Sequence, residues 1–175
     1  MKAIVYAEYG PPDVLQLEEV EKPVPKNSEV LVKVQAASIN DWDWGLLTGK
    51  PFVNRLFFGL LKPKIKILGG DIAGRVEAVG VDVKQYRPGD EVFGDLSGCG
   101  FGGFAEYVCA RENAVALKST SMTFEQAASI PQAAVLALQG LRDKRPIKPG
   151  QRVLINGAGG GAGTFAVQIA KSFGA

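Results

Sequence analysis

Along the first two thirds of the chain, apolar and polar residues alternate over short runs rich in β-branched and aromatic side chains. "KAIVYA" (2–7), "VLQLEEV" (14–20) and "EVLVKVQAASI" (29–39) have this form and predict strands. So do "DIAGRVEAVG" (71–80), "DEVFGD" (90–95), "GFAEYVCA" (103–110) and "AVALK" (114–118). Within 103–110, Phe104, Glu106 and Val108 alternate with Ala105, Tyr107 and Cys109. The runs are separated by loop signals: Gly10-Pro11-Pro12, "KPVPKNS" (22–28) and "YRPGD" (86–90). Short strands at this spacing predict a compact barrel or sandwich over residues 1–122.

Past that point the period changes. Thr123 with Gln126 three residues on is a capping-box pattern, which Ser121 lacks. "PQAAVLALQGLRDK" (131–144) opens on proline and is rich in Ala and Leu, so it predicts a helix. "QRVLIN" (151–156) is a short continuous apolar run, expected as a strand buried on both faces. "GTFAVQIAKSFGA" (163–175) predicts a second helix, with Ala166, Ile169, Ala170 and Phe173 on one face and Gly174 as its stop. The expected architecture is a β-rich barrel domain (1–122), then connector helices and the first β-α unit of an incomplete α/β domain (123–175). No internal repeat or low-complexity tract is visible.

The turn joining that strand to that helix is Gly157-Ala158-Gly159-Gly160-Gly161-Ala162-Gly163. Glycines there permit positive φ, let a pyrophosphate approach the backbone and let the helix pack closely on the sheet. The helix N-terminus offers free N–H groups to phosphate. Two frames of the dinucleotide fingerprint fit: Gly157-x-Gly159-x-x-Ala162 and Ala158-x-Gly160-x-x-Gly163. The second is preferred because Gly163 directly precedes the helical pattern. Candidate cofactor-binding residues are thus Ala158, Gly159, Gly160, Gly161, Ala162 and Gly163; the alternative is a plain flexible loop. The acidic residue usually found about 20 positions on, reading the ribose, has no place within the chain.

Composition removes several functions. With 46% hydrophobic and 22% charged residues in 175, a packed core is expected. A formal net charge of +2 gives no case for nucleic acid. There is no histidine, which removes imidazole catalysis and any His-containing zinc site. Two cysteines, Cys99 and Cys109, make no disulfide framework and read as small apolar or loop residues. The N-terminus lacks the build of a signal peptide, and "PFVNRLFFGLLKPKIKIL" (51–68) is too interrupted by charge and proline to span a bilayer. A cytoplasmic protein without a membrane partner is expected. "FVNRLFFGLLK" (52–62) remains ambiguous: it packs on the barrel, or it forms a lid or an exposed apolar surface.

The blocks "YGPPDVLQLEEVEKPVPKNSEVLVKVQAASIN", "GGDIAGRVEAVG", "YRPGDEVFG", "GGFAEYVCA" and "PGQRVLINGAGGGAGTFAVQIAKSFGA" resemble the medium-chain dehydrogenase/reductase superfamily. The match is to its zinc-free quinone oxidoreductase and NAD(P)-dependent alcohol dehydrogenase-like branch. The resemblance implies a GroES-like β-barrel followed by a Rossmann domain, with NADPH (or NADH) between them. It implies hydride transfer to a quinone, enone or similar carbonyl compound without zinc. Asn40-Asp41-Trp42-Asp43 matches the family's Asn-Pro-x-Asp at Asn40 and Asp43, with Asp41 in place of Pro. Asn40 is then the catalytic candidate, and Asp43, Phe93 and Leu136 are candidates to line the substrate; Leu136 stands where a cofactor-touching Thr is common. Read without the resemblance, Asn40 is a turn residue, Asp43 a cap and Phe93 a core aromatic. Family members run to roughly twice this length and commonly dimerise, so the chain is expected to be the N-terminal part of such an enzyme. The alternative is a non-catalytic GroES-like binding or scaffold module.

Overall fold

The computed structural model describes residues 1–143 and 146–175. It divides into two units, Met1–Ser129 and Ile130–Ala175.

The first unit contains seven strands: β1 (Lys2–Val5), β2 (Gln16–Glu19), β3 (Glu29–Ser38), β4 (Asp71–Val79), β5 (Glu91–Asp95), β6 (Tyr107–Arg111) and β7 (Val115–Leu117). Each lies within one of the alternating runs, except that β6 extends one residue beyond its run, to Arg111. Five of them form an antiparallel sheet in the order β6-β3-β4-β5-β7, while β1 and β2 pair separately. The expected barrel therefore does not run as one closed ladder among the described residues. The β1–β2 pair is joined to the rest by the bridges Ala3–Ala105 and Val5–Ile67.

The inward positions of these strands make the core. Val30 and Val32 of β3 meet Ile72 and Val76 of β4, Val92 of β5, and Val108 and Ala110 of β6. β3 pairs with β4 through two register shifts, at Leu31/Val32 and Val34/Ala36. Gly74 lies between them, and a β-carbon there would run into the Lys33 carbonyl oxygen. Glycine is thus required by close backbone approach at an irregular ladder. A second cluster gathers Tyr6, Leu46, Leu47, Leu68 and Phe101.

Three α-helices belong to this unit: α1 (Asp41–Thr48), α2 (Val53–Phe58) and α3 (Phe124–Ala128). α3 starts at the predicted capping box: the Gln126 N–H donates to Thr123 Oγ1 at 3.2 Å, and the Thr123 N–H donates to Gln126 Oε1 at 3.0 Å. Its Ala127 and Ala128 are buried against Ala73 of β4. The expected division after residue 122 is offset from the observed one by this helix. Glu91 clasps the neighbouring region: its carboxylate accepts from Arg75 at 2.8 Å and lies 2.9 Å from Lys118 Nζ. Lys118 in turn donates to the Met122 carbonyl and sits over the Phe124 ring.

The second unit holds α4 (Pro131–Arg142) and α5 (Gly161–Ser172), packed on each other. The expected helix end at residue 144 lies outside the described residues. α5 buries Ala170 and half-buries Ala166, Ile169 and Phe173, the predicted face. Gly174 (φ 84°) ends it in a left-handed turn: its N–H donates to the Lys171 carbonyl, and the Ala175 N–H to that of Ala170.

One expectation is corrected. "QRVLIN" forms no strand: residues 151–155 have no regular structure, Asn156 begins a turn, and Leu154 is 96% exposed. A strand becomes buried on both faces only when neighbours flank it, and among the described residues none lies beside this one.

Gly74→Ala is expected to lower stability by roughly 1–3 kcal/mol through overpacking. Urea denaturation should show a lower midpoint with an unchanged slope.

Candidate functional site

In the first unit, Asn40 ends the loop after β3 and caps α1. Its backbone N–H donates to Asp43 Oδ2 at 2.9 Å, closing a capping box, and its side-chain amide donates to Ser38 Oγ at 3.3 Å. Asp43 is 3% exposed. Its other oxygen, Oδ1, accepts from the Gly69 N–H at 2.9 Å, and the Gly70 N–H also points to the carboxylate. Asp43 thus does more than cap a turn: it ties α1 to the segment entering β4.

Burial pushes the Asp43 carboxyl up from the ordinary aspartate value; the three N–H donors pull it down, and the nearby Asp95 adds to the rise. Burial, with Tyr9 and Asp43 nearby, also raises the Tyr6 phenol.

Sequence reasoning missed Gly69. Its φ is 99°, and a β-carbon there would press on the backbone of Gly103 and Phe104. The doublet Gly69-Gly70 before a strand was the available signal.

The remaining candidates belong to other elements, Phe93 to β5 and Leu136 to α4. Phe93 is half-buried against Ala73, Ala127 and Ala128, beside Ala36 and Phe124. Leu136 lies on α4 of the second unit and is 58% exposed. Burial pushes the Cys109 thiol up to about 11, so it is protonated and unreactive at neutral pH. Among the described residues no three His, Cys, Asp or Glu side chains converge on a point that could hold a metal ion.

The second unit gathers the six turn residues. Gly157 has φ 75°, and its carbonyl accepts from the Gly160 N–H at 3.0 Å. Gly160, extended, caps α5, which begins at Gly161. Gly163 is therefore the third residue of the helix and not the one before it, which corrects the reason given for the preferred frame. The turn closes two residues earlier than the apolar period suggests because small residues carry no periodic signal. A β-carbon at Gly163 would run into the Gly157 carbonyl oxygen, so this position tolerates no side chain. The N–H groups of Gly161, Ala162 and Gly163 belong to the first helical turn, which has no intrahelical acceptors for them.

Asp43→Asn is expected to destabilise the fold by about 1–3 kcal/mol, because the new amide nitrogen faces a backbone N–H. Its raised folded value also sets a pH dependence. Asp43 contributes most to stability at acid pH, and that contribution falls as pH rises from about 3.9 through the folded value. Glu91 has the opposite sign: hydrogen bonds from Arg75 and Lys118 lower its folded value. Its contribution is present above about pH 4.3 and lost as pH falls through that lowered value. Carboxyl-carbon NMR titration should find Asp43 above and Glu91 below their free values.

Residues 26–120 match the family model of the alcohol dehydrogenase GroES-like domain. Over 98% of its length the chain is 39% identical to the 2-methylene-furan-3-one reductase of Solanum lycopersicum, covering 44% of that protein. It superposes on the quinone oxidoreductase of Coxiella burnetii with a TM-score of 0.85 at 36% identity, covering 99% of this chain and 54% of that one. For the Escherichia coli quinone oxidoreductase complexed with NADPH, the TM-score is 0.84 at 29% identity, with coverage of 99% and 50%. The chain spans about half the length of these relatives. A GroES-like sheet domain followed by a helix-opening glycine turn, matched along nearly the whole chain, makes this a member of the medium-chain dehydrogenase/reductase superfamily corresponding to the N-terminal half of its quinone oxidoreductases.

Proposed function

We propose that the chain contributes the substrate-side domain and the diphosphate-binding turn of an NAD(P)H-dependent oxidoreductase acting on a quinone, enone or similar carbonyl compound. The observation that carries this reading is Gly163: the first turn of α5 is drawn so close to Gly157 that only glycine fits. Such a turn leaves three adjacent N–H groups and the positive end of a helix open to an anion. These features fit a dinucleotide diphosphate held by Ala158–Gly163 as the first turn of a Rossmann unit. The bound nicotinamide would supply the hydride.

What the protein side contributes is orientation. Asn40 is half-buried, and its amide N–H donates to Ser38 Oγ at 3.3 Å, a bond it can exchange for a substrate or carboxamide oxygen. Asp43 holds the Asn40 backbone, which fixes where that amide points. A catalytic zinc does not fit the donor set: there is no histidine, and among the described residues no three Cys, Asp or Glu side chains converge on a point. An electrophilic substrate such as an enone accepts hydride without a Lewis acid.

Titrating NADPH into the ¹⁵N-labelled chain should shift amide resonances of residues 157–164. Gly163→Val should weaken binding by about tenfold or more, the loss of one or two anion hydrogen bonds each contributing roughly 1.5 kcal/mol. No perturbation at these amides at millimolar NADPH, in this chain and in a longer protein that carries it, would refute the reading and favour the scaffold alternative.

A further inference from the structure

The helix α2 is turned inside out. Val53, Leu56, Phe57 and, just past its end, Leu60 fall at i, i+3, i+4 and i+7, the stripe that ordinarily faces a core. All four are exposed, Phe57 at 72%; Phe52 and Leu61 extend the patch, Leu61 at 86%. The polar residues face the domain instead. The Asn54 amide donates to the Lys50 carbonyl at 3.1 Å. Arg55 Nε donates to the Gly49 carbonyl at 3.2 Å, and its guanidinium lies 4.4 Å from the centre of the Tyr9 ring. Only Phe58 turns inward, edge-on to Trp42. The apolar face is thus held outward by specific contacts on the opposite side.

Charge identifies what such a face fits. Between Asp43 and Asp71 there is no acidic residue, while Lys50, Arg55, Lys62, Lys64 and Lys66 are all basic. Since the whole chain carries only +2, the rest of it is net negative. Lys62 and Lys64, directly after the apolar stripe, are exposed, and neither takes part in the ion pairs found among the described residues; Lys66 instead lines a groove with Glu8, Asp13 and Glu18, and Lys50 one with Asp41. A second copy docking by the same face would bring these cations against their own kind, which disfavours a symmetric dimer. Exposed Phe, Leu and Val interleaved with unpaired lysines fit a negatively charged interface with an apolar interior.

We infer that this face docks the protein peripherally on an anionic lipid surface, with Phe57, Leu60 and Leu61 entering the headgroup boundary and the lysines meeting lipid phosphates. No helix among the described residues is long and apolar enough to cross a membrane, and a surface-lying segment needs none. The expectation of no membrane partner rested on the absence of a span and did not weigh a surface contact.

Co-sedimentation with vesicles tests this. The chain should partition onto phosphatidylcholine–phosphatidylserine vesicles but not onto phosphatidylcholine alone, and added salt should release it. The double substitution Phe57→Asp/Leu61→Asp should abolish partitioning. Replacing Lys62 and Lys64 with Gln should weaken it roughly fivefold per lysine. Because these side chains are exposed, both variants should keep the thermal midpoint and near-ultraviolet dichroism of the parent. The proposal is overturned by absence of binding, by equal binding to both vesicle types, or by binding that the variants retain. It is also overturned if ultracentrifugation finds a dimer that Phe57→Asp dissociates, since a second copy then covers the face. A longer protein carrying this chain as its first half that fails to bind, while the 175-residue chain binds, would make the face an internal contact and overturn it as well.

Discussion

A carboxylate taken almost wholly out of water must be met by donors, and Asp43 is met by backbone alone. The N–H groups of Asn40, Gly69 and Gly70 converge on it. From there a relay of backbone hydrogen bonds crosses the domain. Gly69 offers its carbonyl to Gly103, Leu68 offers its own to Phe104, and Phe104 passes the chain to Ile4 of β1. One buried charge therefore registers α1, the approach to β4, the glycine loop before β6 and the N-terminal strand against each other. The candidate Asn40 stands at the first link of this relay. Its orientation follows from the packing of segments far away in sequence.

This dependence explains which parts of the molecule could be read from residues alone. The seven strands were legible because alternation is a local property, and every inward valine of the core lies on a run that displayed it. The capping box at Thr123 and Gln126 and the glycine stop at Gly174 were legible for the same reason, since each involves partners within a few residues. Gly69 was not, because its partner Asp43 is 26 positions away. Neither was the direction of α2. The period of Val53, Leu56, Phe57 and Leu60 is plain, but period alone does not say which side of a helix meets the protein. That is decided by Arg55 finding Tyr9 and the Gly49 carbonyl, a tertiary choice.

The segment after Pro149 shows the opposite limit. "VLIN" has the composition of a strand buried on both faces, yet the backbone there forms no strand and Leu154 faces solvent. Composition reports the surroundings a segment is suited to, and only neighbouring strands can supply them. The glycine turn does not wait for that sheet. The Gly160 N–H bonds the Gly157 carbonyl, Gly163 packs against the same group, and Gly150 bonds the Gly174 carbonyl at the far end of α5. The N-terminal end of α5 is thus fixed by contacts local to the turn and the helix ends. A side chain at Gly163 would open the turn itself and would leave Val153 and Leu154 as exposed as before. The geometry of the glycine turn and the burial of the strand are accordingly separable properties of this part of the chain.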